Sequence, residues 1–170
     1  MGFFLTLVQV NRVGGSVVAN ALSSIHQLAP AEIGVVIGVM FLSSALVQIP
    51  FGIMLDRFGA RRMIVGWSSV AIIGTVIFGL AETSSGLTVG RTLIGIGHGA
   101  SITGVYLLAL AWASPERVAS VAATTIAVAG ALGGMIGTAP LAAAIEYLGF
   151  TDTFLYLALV SLVSSILIWF

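Results

Sequence analysis

Apolar residues fill this chain in long runs, and its strongly polar positions fall mainly in short clusters between them. The clusters are HQLAPAE at 26–32, LDRFGARR at 55–62, AETSSG at 81–86, ASPER at 113–117 and IEYLGFTD at 145–152. Each run between clusters is close to the roughly 20 residues that a helix needs to cross a hydrocarbon core. The pattern predicts six helices, over about 3–24, 33–54, 62–81, 87–111, 118–141 and 152–170. The connections are too short to hold a soluble domain.

Composition decides what surrounds those helices. The 170 residues are 59% hydrophobic and 7% charged, with mean hydropathy +1.17, whereas a soluble domain carries about 25% charged residues. A soluble domain of this length would still expose a large share of its surface to water, so lipid is the solvent and the expected class is an all-α membrane protein. The start, MGFFLTLVQVN, lacks the basic segment of a cleavable signal and reads as a retained first helix. A net charge of zero argues against a nucleic-acid partner, and the absence of cysteine removes disulfides and thiolate metal sites. With no metal-ligand cluster, no GxxxxGK loop and no nucleophile beside a base, neither enzyme chemistry nor a cofactor is expected.

Charge placement orients the bundle. The chain has six Arg and no Lys, and Arg57, Arg61, Arg62 and Arg117 all lie in the second and fourth connections. The other three connections hold only Glu32, Glu82, Glu146 and Asp152. Because short cationic loops are retained inside, the second and fourth connections and both chain ends are expected in the cytoplasm, with the bundle in the inner or plasma membrane.

Two segments align 90 residues apart. Pro50, Asp56 and Gly59 of PFGIMLDRFG match Pro140, Glu146 and Gly149 of PLAAAIEYLG, each following the second helix of a group of three. Three is odd, so the copies face opposite sides of the membrane, the pattern of an inverted 3+3 repeat.

The segment GIMLDRFGARR at 52–62 places Gly52, Asp56, Arg57, Gly59, Arg61 and Arg62 at a helix junction. On charge alone it reads as a hydrophilic turn. Its spacing resembles the signature between the second and third helices of the major facilitator superfamily. RTLIGIGHGA at 91–100 is similar to that family's fourth-helix signature, GALGGMIGTAP at 130–140 to its glycine-rich fifth-helix motif, and SPER at 114–117 occupies its cytoplasmic turn. LGFTDTF at 148–154 departs from the pattern, with Phe150 and Thr151 where many relatives place Trp-Arg. The resemblance implies the first half of a twelve-helix fold, a solute transporter working by alternating access, and a second six-helix half as partner. It also implies that the cluster of Asp56, Arg57, Arg61, Arg62, Glu116 and Arg117 latches the halves in the outward-open state. Ion pairs at helix ends, made in one conformer and broken in another, would suit that role.

Some polar residues sit inside the runs. Arg12 lies about nine residues, roughly 13 Å, into the first helix, where a guanidinium marks a pathway unless it snorkels to the inner surface. With Asn11, Asn20 and Gln9 nearby, it is a candidate for an anionic solute, since its planar fork of donors suits carboxylate or phosphate. Some organic-anion members of the family use a first-helix arginine in this way. Arg91, Gly95 and His98 fall on one face of the fourth helix, and Arg91 and His98 are candidates for proton coupling, His98 with the alternative of a structural hydrogen bond. Gly130, Gly133, Gly134 and Gly137 allow close helix contact, and Pro140 allows a bend. The function expected is transport of a small solute, the alternative being a six-helix membrane subunit or scaffold that transports nothing.

Orientation can be tested with single cysteines. Those placed at 57–62 or 114–117 should resist a membrane-impermeant thiol reagent in intact cells, while cysteines at Pro30 and Thr83 react. Labelling of the 57–62 turn from outside would reverse the assignment.

Overall fold

The computed structural model describes residues 2–99 and 101–169 and, within them, every side chain except those of Asp56, Ala60 and Arg61. The described residues form ten helices: α1 (Gly2–Val13), α2 (Gly15–Ser24), α3 (Pro30–Leu46), α4 (Gln48–Phe58), α5 (Ala60–Leu80), α6 (Ser84–His98), α7 (Ser101–Trp112), α8 (Val118–Ile136), α9 (Ala139–Leu148) and α10 (Phe150–Trp169). No strand occurs among the described residues. Five of these helices or helix runs are long and apolar enough to cross a membrane, and the pair α1–α2, bent by 49° at Gly14, makes a sixth span. The chain is an all-α, multi-pass membrane protein whose spans are α1–α2, α3–α4, α5, α6–α7, α8–α9 and α10.

Two of the breaks follow from proline. Pro50 has no N–H to give the carbonyl four residues back, which is Leu46, and α3 ends there. Pro140 deprives Ile136 in the same way, and α8 ends at Ile136. The helices then resume and run through the polar clusters that the hydropathy pattern assigns to connections. A single residue separates α4 from α5 and α9 from α10. These residues are Gly59 (φ 81°, ψ 153°) and Gly149 (φ 90°, ψ 163°), in a region that a side chain at Cβ disfavours. Gly59 donates to the Leu55 carbonyl at 3.0 Å and accepts from Met63 N–H at 3.3 Å; Gly149 donates to Ile145 at 3.0 Å and accepts from Thr153 N–H at 3.2 Å. Break, proline, acid and glycine turn thus recur 90 positions apart, and the inverted repeat is a property of the backbone as well as of the sequence.

Packing repeats too. α3 crosses α6 at Gly95, where a Cβ would collide with the Met40 carbonyl and Ser43 Oγ; α8 crosses α1 at Gly133, where it would collide with Gln9 and the Thr6 carbonyl. Ser43 and Gly133 are again 90 apart, so Gln9 and Gly95 are equivalent and the first and fourth spans align at an offset of 86. Thr6, Leu7, Val8, Val10 and Arg12 then match Thr92, Leu93, Ile94, Ile96 and His98. The third and sixth spans run antiparallel: Gly79 lies against Phe154 and Thr151, and Ser68 Oγ meets Ser165 Oγ at 2.6 Å.

One apolar core gathers Val10, Leu22, Met40, Leu87 and Ile94 with the mutually packed rings of Phe78, Phe150 and Phe154, whose centroids lie 4.8–5.3 Å apart. A second core holds Phe4, Leu5, Val8, Val105 and Ala122 toward the arginine-bearing end. Large apolar side chains such as Ile49 (78% exposed) and Leu167 (70%) cover the periphery, as a lipid-facing surface requires. The second span and α8 of the fifth are thinly enclosed, with 22% and 17% of an 18-residue stretch buried against 33–53% in the third, fourth and sixth.

Close contact, rather than glycine content, sets stability here. Gly97→Leu would drive a Cβ into Ala71 and the Trp67 carbonyl and should cost about 1–3 kcal/mol by overpacking. Gly38→Leu meets nothing within 4 Å and should change stability by less than about 0.5 kcal/mol. Thermal unfolding in detergent, followed by tryptophan fluorescence, distinguishes them; equal falls in Tm would contradict the packing.

Candidate functional site

The bend at Gly14 places polar groups in the interior. The helical ladder passes through it, Gly14 N–H to Val10 at 2.9 Å and Val18 N–H to Gly14 at 2.9 Å. In the turn before the bend, the Asn11 carbonyl accepts from Arg91 Nη1 at 3.3 Å. Arg91 reaches it across the seam between the first and fourth spans and is itself only 2% exposed. Nη1 also lies 3.3 Å from Met40 Sδ on α3, and the guanidinium carbon sits 4.5 Å from the Phe78 ring centroid on α5. Three other spans therefore close on one arginine. A cation over an aromatic face gains about 2 kcal/mol or more when desolvated, which offsets part of the cost of burial. Arg91 Nε and Nη2, the edge that would grip a carboxylate side-on, have no hydrogen-bond partner among the described residues.

The other interior polar groups flank this arginine. Asn11 is buried, its Nδ2 donates to the Leu7 carbonyl at 3.2 Å, and its Oδ1 is unpartnered. Arg12, in the last turn of α1, is half-buried; Nη2 donates to Ser44 Oγ on α3 at 3.1 Å and Nε is unpartnered. His98 ends α6. It is buried, it stacks edge-on against Phe4 with centroids 6.2 Å apart, and its Nδ1 is unpartnered, while its backbone carbonyl accepts from Ser101 Oγ. The next residue, Gly99, packs on the Ser44 carbonyl, so the end of α6 that carries His98 meets α3 at the serine that holds Arg12. None of the partners named for these three basic residues is acidic. The arrangement is an electropositive interior in which unused donors outnumber acceptors, and it can hold an anion.

The sequence-derived candidates divide accordingly. Asn11, Arg12, Arg91 and His98 come together, whereas Asn20 is exposed on α2, eight residues or about 12 Å along the span from Arg12. Gln9 is half-buried at the Gly133 crossing, and a Cβ at Gly130 would meet its Nε2 at 3.4 Å. Gly137 adjoins Val10 and Gly14, but Gly134 faces open space, so it makes no close crossing within this unit. Gly95 is buried at a helix crossing, and Pro140 stands at a helix break. Met40, Ser44 and Phe78 have no distinguishing signal in sequence, because an aliphatic, a serine and a phenylalanine in a span look the same facing lipid or arginine.

At the arginine-bearing end, Gly52 is half-buried with open space beside it, and the Asp56 and Arg61 side chains lie outside the described residues. Arg57 is exposed, 5.5 Å from the Phe58 ring centroid, and Arg62 and Arg117 are exposed as well. Glu116 sits on the turn before α8, where its own backbone N–H and the Ser114 side chain hold its carboxyl below the usual range.

Comparison with known proteins adds a family. The Major Facilitator Superfamily profile matches residues 1–170. The chain is 34% identical over 97 residues to the inner membrane transport protein YajR of Escherichia coli, covering 57% of this chain and 20% of that protein. It is 32% identical over 140 residues to an uncharacterized transporter of Buchnera aphidicola, 81% of this chain and 35% of that one. It is 30% identical over 93 residues to the probable sulfoacetate transporter SauU of Cupriavidus necator, 55% and 22%. The chain thus spans about a third or less of the length of these relatives.

A buried arginine without a carboxylate should not be a stabilising element. Arg91→Met is expected to leave thermal stability in detergent unchanged or to raise it by about 1–3 kcal/mol, while transport by the assembled protein is lost. A marked fall in stability would make Arg91 a structural staple instead.

Proposed function

The chain belongs to the major facilitator superfamily, and on that premise we propose that it forms the amino-terminal six-helix unit of a secondary transporter for a small organic anion. The observation that carries the reading is the trio Arg12, Arg91 and His98, gathered at the seam of the first and fourth spans with unpartnered nitrogen groups. Buried cations without acids are costly in lipid, and a solute carboxylate, sulfonate or phosphate would offset that cost. The name of the Cupriavidus relative, a probable sulfoacetate transporter, points to the same class.

In this reading a second six-helix unit closes the pathway, and the two rock about a site near the midplane. Arg12, half-buried and held by Ser44, is the residue best placed to meet solute; Asn11 orients it, and Asn20 lies on the approach. Arg91 and His98, deeper in the seam, serve proton coupling: the imidazole carries the proton and the permanently charged Arg91 biases its release. Gly52, Asp56, Arg57, Gly59, Arg61, Arg62, Glu116 and Arg117 form the inner latch, at an end that faces the cytoplasm together with both chain ends. The bundle resides in the inner or plasma membrane.

The test is solute binding to the complete transporter with Arg12 varied. Arg12→Lys keeps the charge but loses the two-pronged donor geometry, and the loss of a charge-assisted hydrogen bond worth about 1.5–3 kcal/mol should weaken anion binding about tenfold to a hundredfold. Arg12→Gln should weaken it at least as much, with neutral solutes unaffected. Unchanged affinity for every solute in both variants would remove Arg12 from the site.

A further inference from the structure

The two proline-broken spans carry an acid at the same place, yet a role follows so far for only one of them. Asp56 and Glu146 each stand six residues after the proline and three before the positive-φ glycine. The backbone makes the match close: the helix breaks, the glycine dihedral angles and the hydrogen bonds around Gly59 and Gly149 coincide at the 90-residue offset. Since the repeat is inverted, Glu146 holds on the opposite side of the membrane the place that Asp56 holds beside the arginines.

Its surroundings suit a partner from outside this unit. Glu146 is exposed on α9 and borders a cleft of about 410 Å³ with Val17, Asn20, Ser24 and Ala142, between the first and fifth spans. The connections at that end, 26–32, 81–86 and 145–152, hold Glu32, Glu82, Glu146 and Asp152 and no Lys or Arg. Glu32 is already engaged, accepting from Ala29 N–H at 3.0 Å. That end therefore offers Glu146 no lysine or arginine, and only His26 as a basic residue, so a permanently charged partner would come from outside this unit. α8 of the fifth span and the counterpart second span are also thinly enclosed, with 17% and 22% of an 18-residue stretch buried, which leaves faces for a second unit to cover.

We propose that Glu146 is an outer latch: it pairs with a lysine or arginine at the facing end of the second six-helix unit and closes the outer mouth when the inner latch is open. The proposal rests on the alternating-access reading above. Rocking about a midplane site closes one mouth as it opens the other. An ion pair at each mouth makes both closed forms favoured states, where a single inner pair would favour only one.

The experiment uses the complete transporter, freed of any other cysteines, with one cysteine in the cleft at Ala142; this chain has no cysteine of its own. A neutral membrane-impermeant maleimide applied to intact cells reads outer opening. Glu146→Gln should raise the labelling rate about fivefold to tenfold at unchanged abundance, the lower part of the usual range for coupling between sites. Glu146→Asp should stay near wild type, as should Glu82→Gln. Asp56→Asn should lower the rate. If Glu146→Gln leaves the rate at the wild-type value while Asp56→Asn lowers it, the outer latch is wrong and the alternating-access reading stands. If neither substitution moves it, both fall. Should Glu146→Gln not accumulate, salt applied to the wild type decides: the Debye length shrinks from about 10 Å at 0.1 M to about 3 Å at 1 M, so an exposed pair predicts faster labelling, and a salt-independent rate overturns it.

Discussion

Backbone carbonyls and amides in lipid have no water to turn to, and this constraint governs how the spans break and turn. Helices can break only where the freed groups are few or find partners within the protein. Pro50 and Pro140 each remove one donor, and the chain resumes as helix after one or two residues. Gly59 and Gly149 turn it between consecutive spans while both their N–H and carbonyl groups remain bonded. Where the first span bends at Gly14, Arg91 brings its own donor from the fourth span to the Asn11 carbonyl. The buried cation and the bend thus meet at one carbonyl.

The sequence is legible at the level of whole elements for a plain reason. Lipid demands runs of about 20 apolar residues, and the runs are there to be counted. The repeat containing Pro50 and Pro140 is visible because a proline and a positive-φ glycine have few substitutes. Helix ends are less legible: LDRF and IEYL are polar enough to look like connections, yet both are helical up to the glycine. Side-chain partners are not legible at all. Phe78 facing Arg91 and Ser44 facing Arg12 are placed by the crossings of four spans, information that no local pattern carries.

The relation between the first and fourth spans is hidden for another reason. Their offset is 86, whereas that of the second and fifth is 90, so the second group of three is about one helical turn longer between its first two spans. Once that turn is allowed for, Arg12 and His98 occupy equivalent positions, one arginine that is always charged and one imidazole that can be neutral. A two-fold arrangement of backbone thus carries two unlike basic groups. Duplicated structure supplies the positions, and the residues that fill them differ.

The one-residue joints at Gly59 and Gly149 leave no slack. A connection of several residues would let neighbouring spans slide or tilt independently. Here each pair of spans turns on the two torsions of one glycine, flanked by hydrogen bonds on both sides. The second and third spans, and likewise the fifth and sixth, are therefore tied at one end with no loop between them, and the glycine is the pivot about which one can tilt against the other.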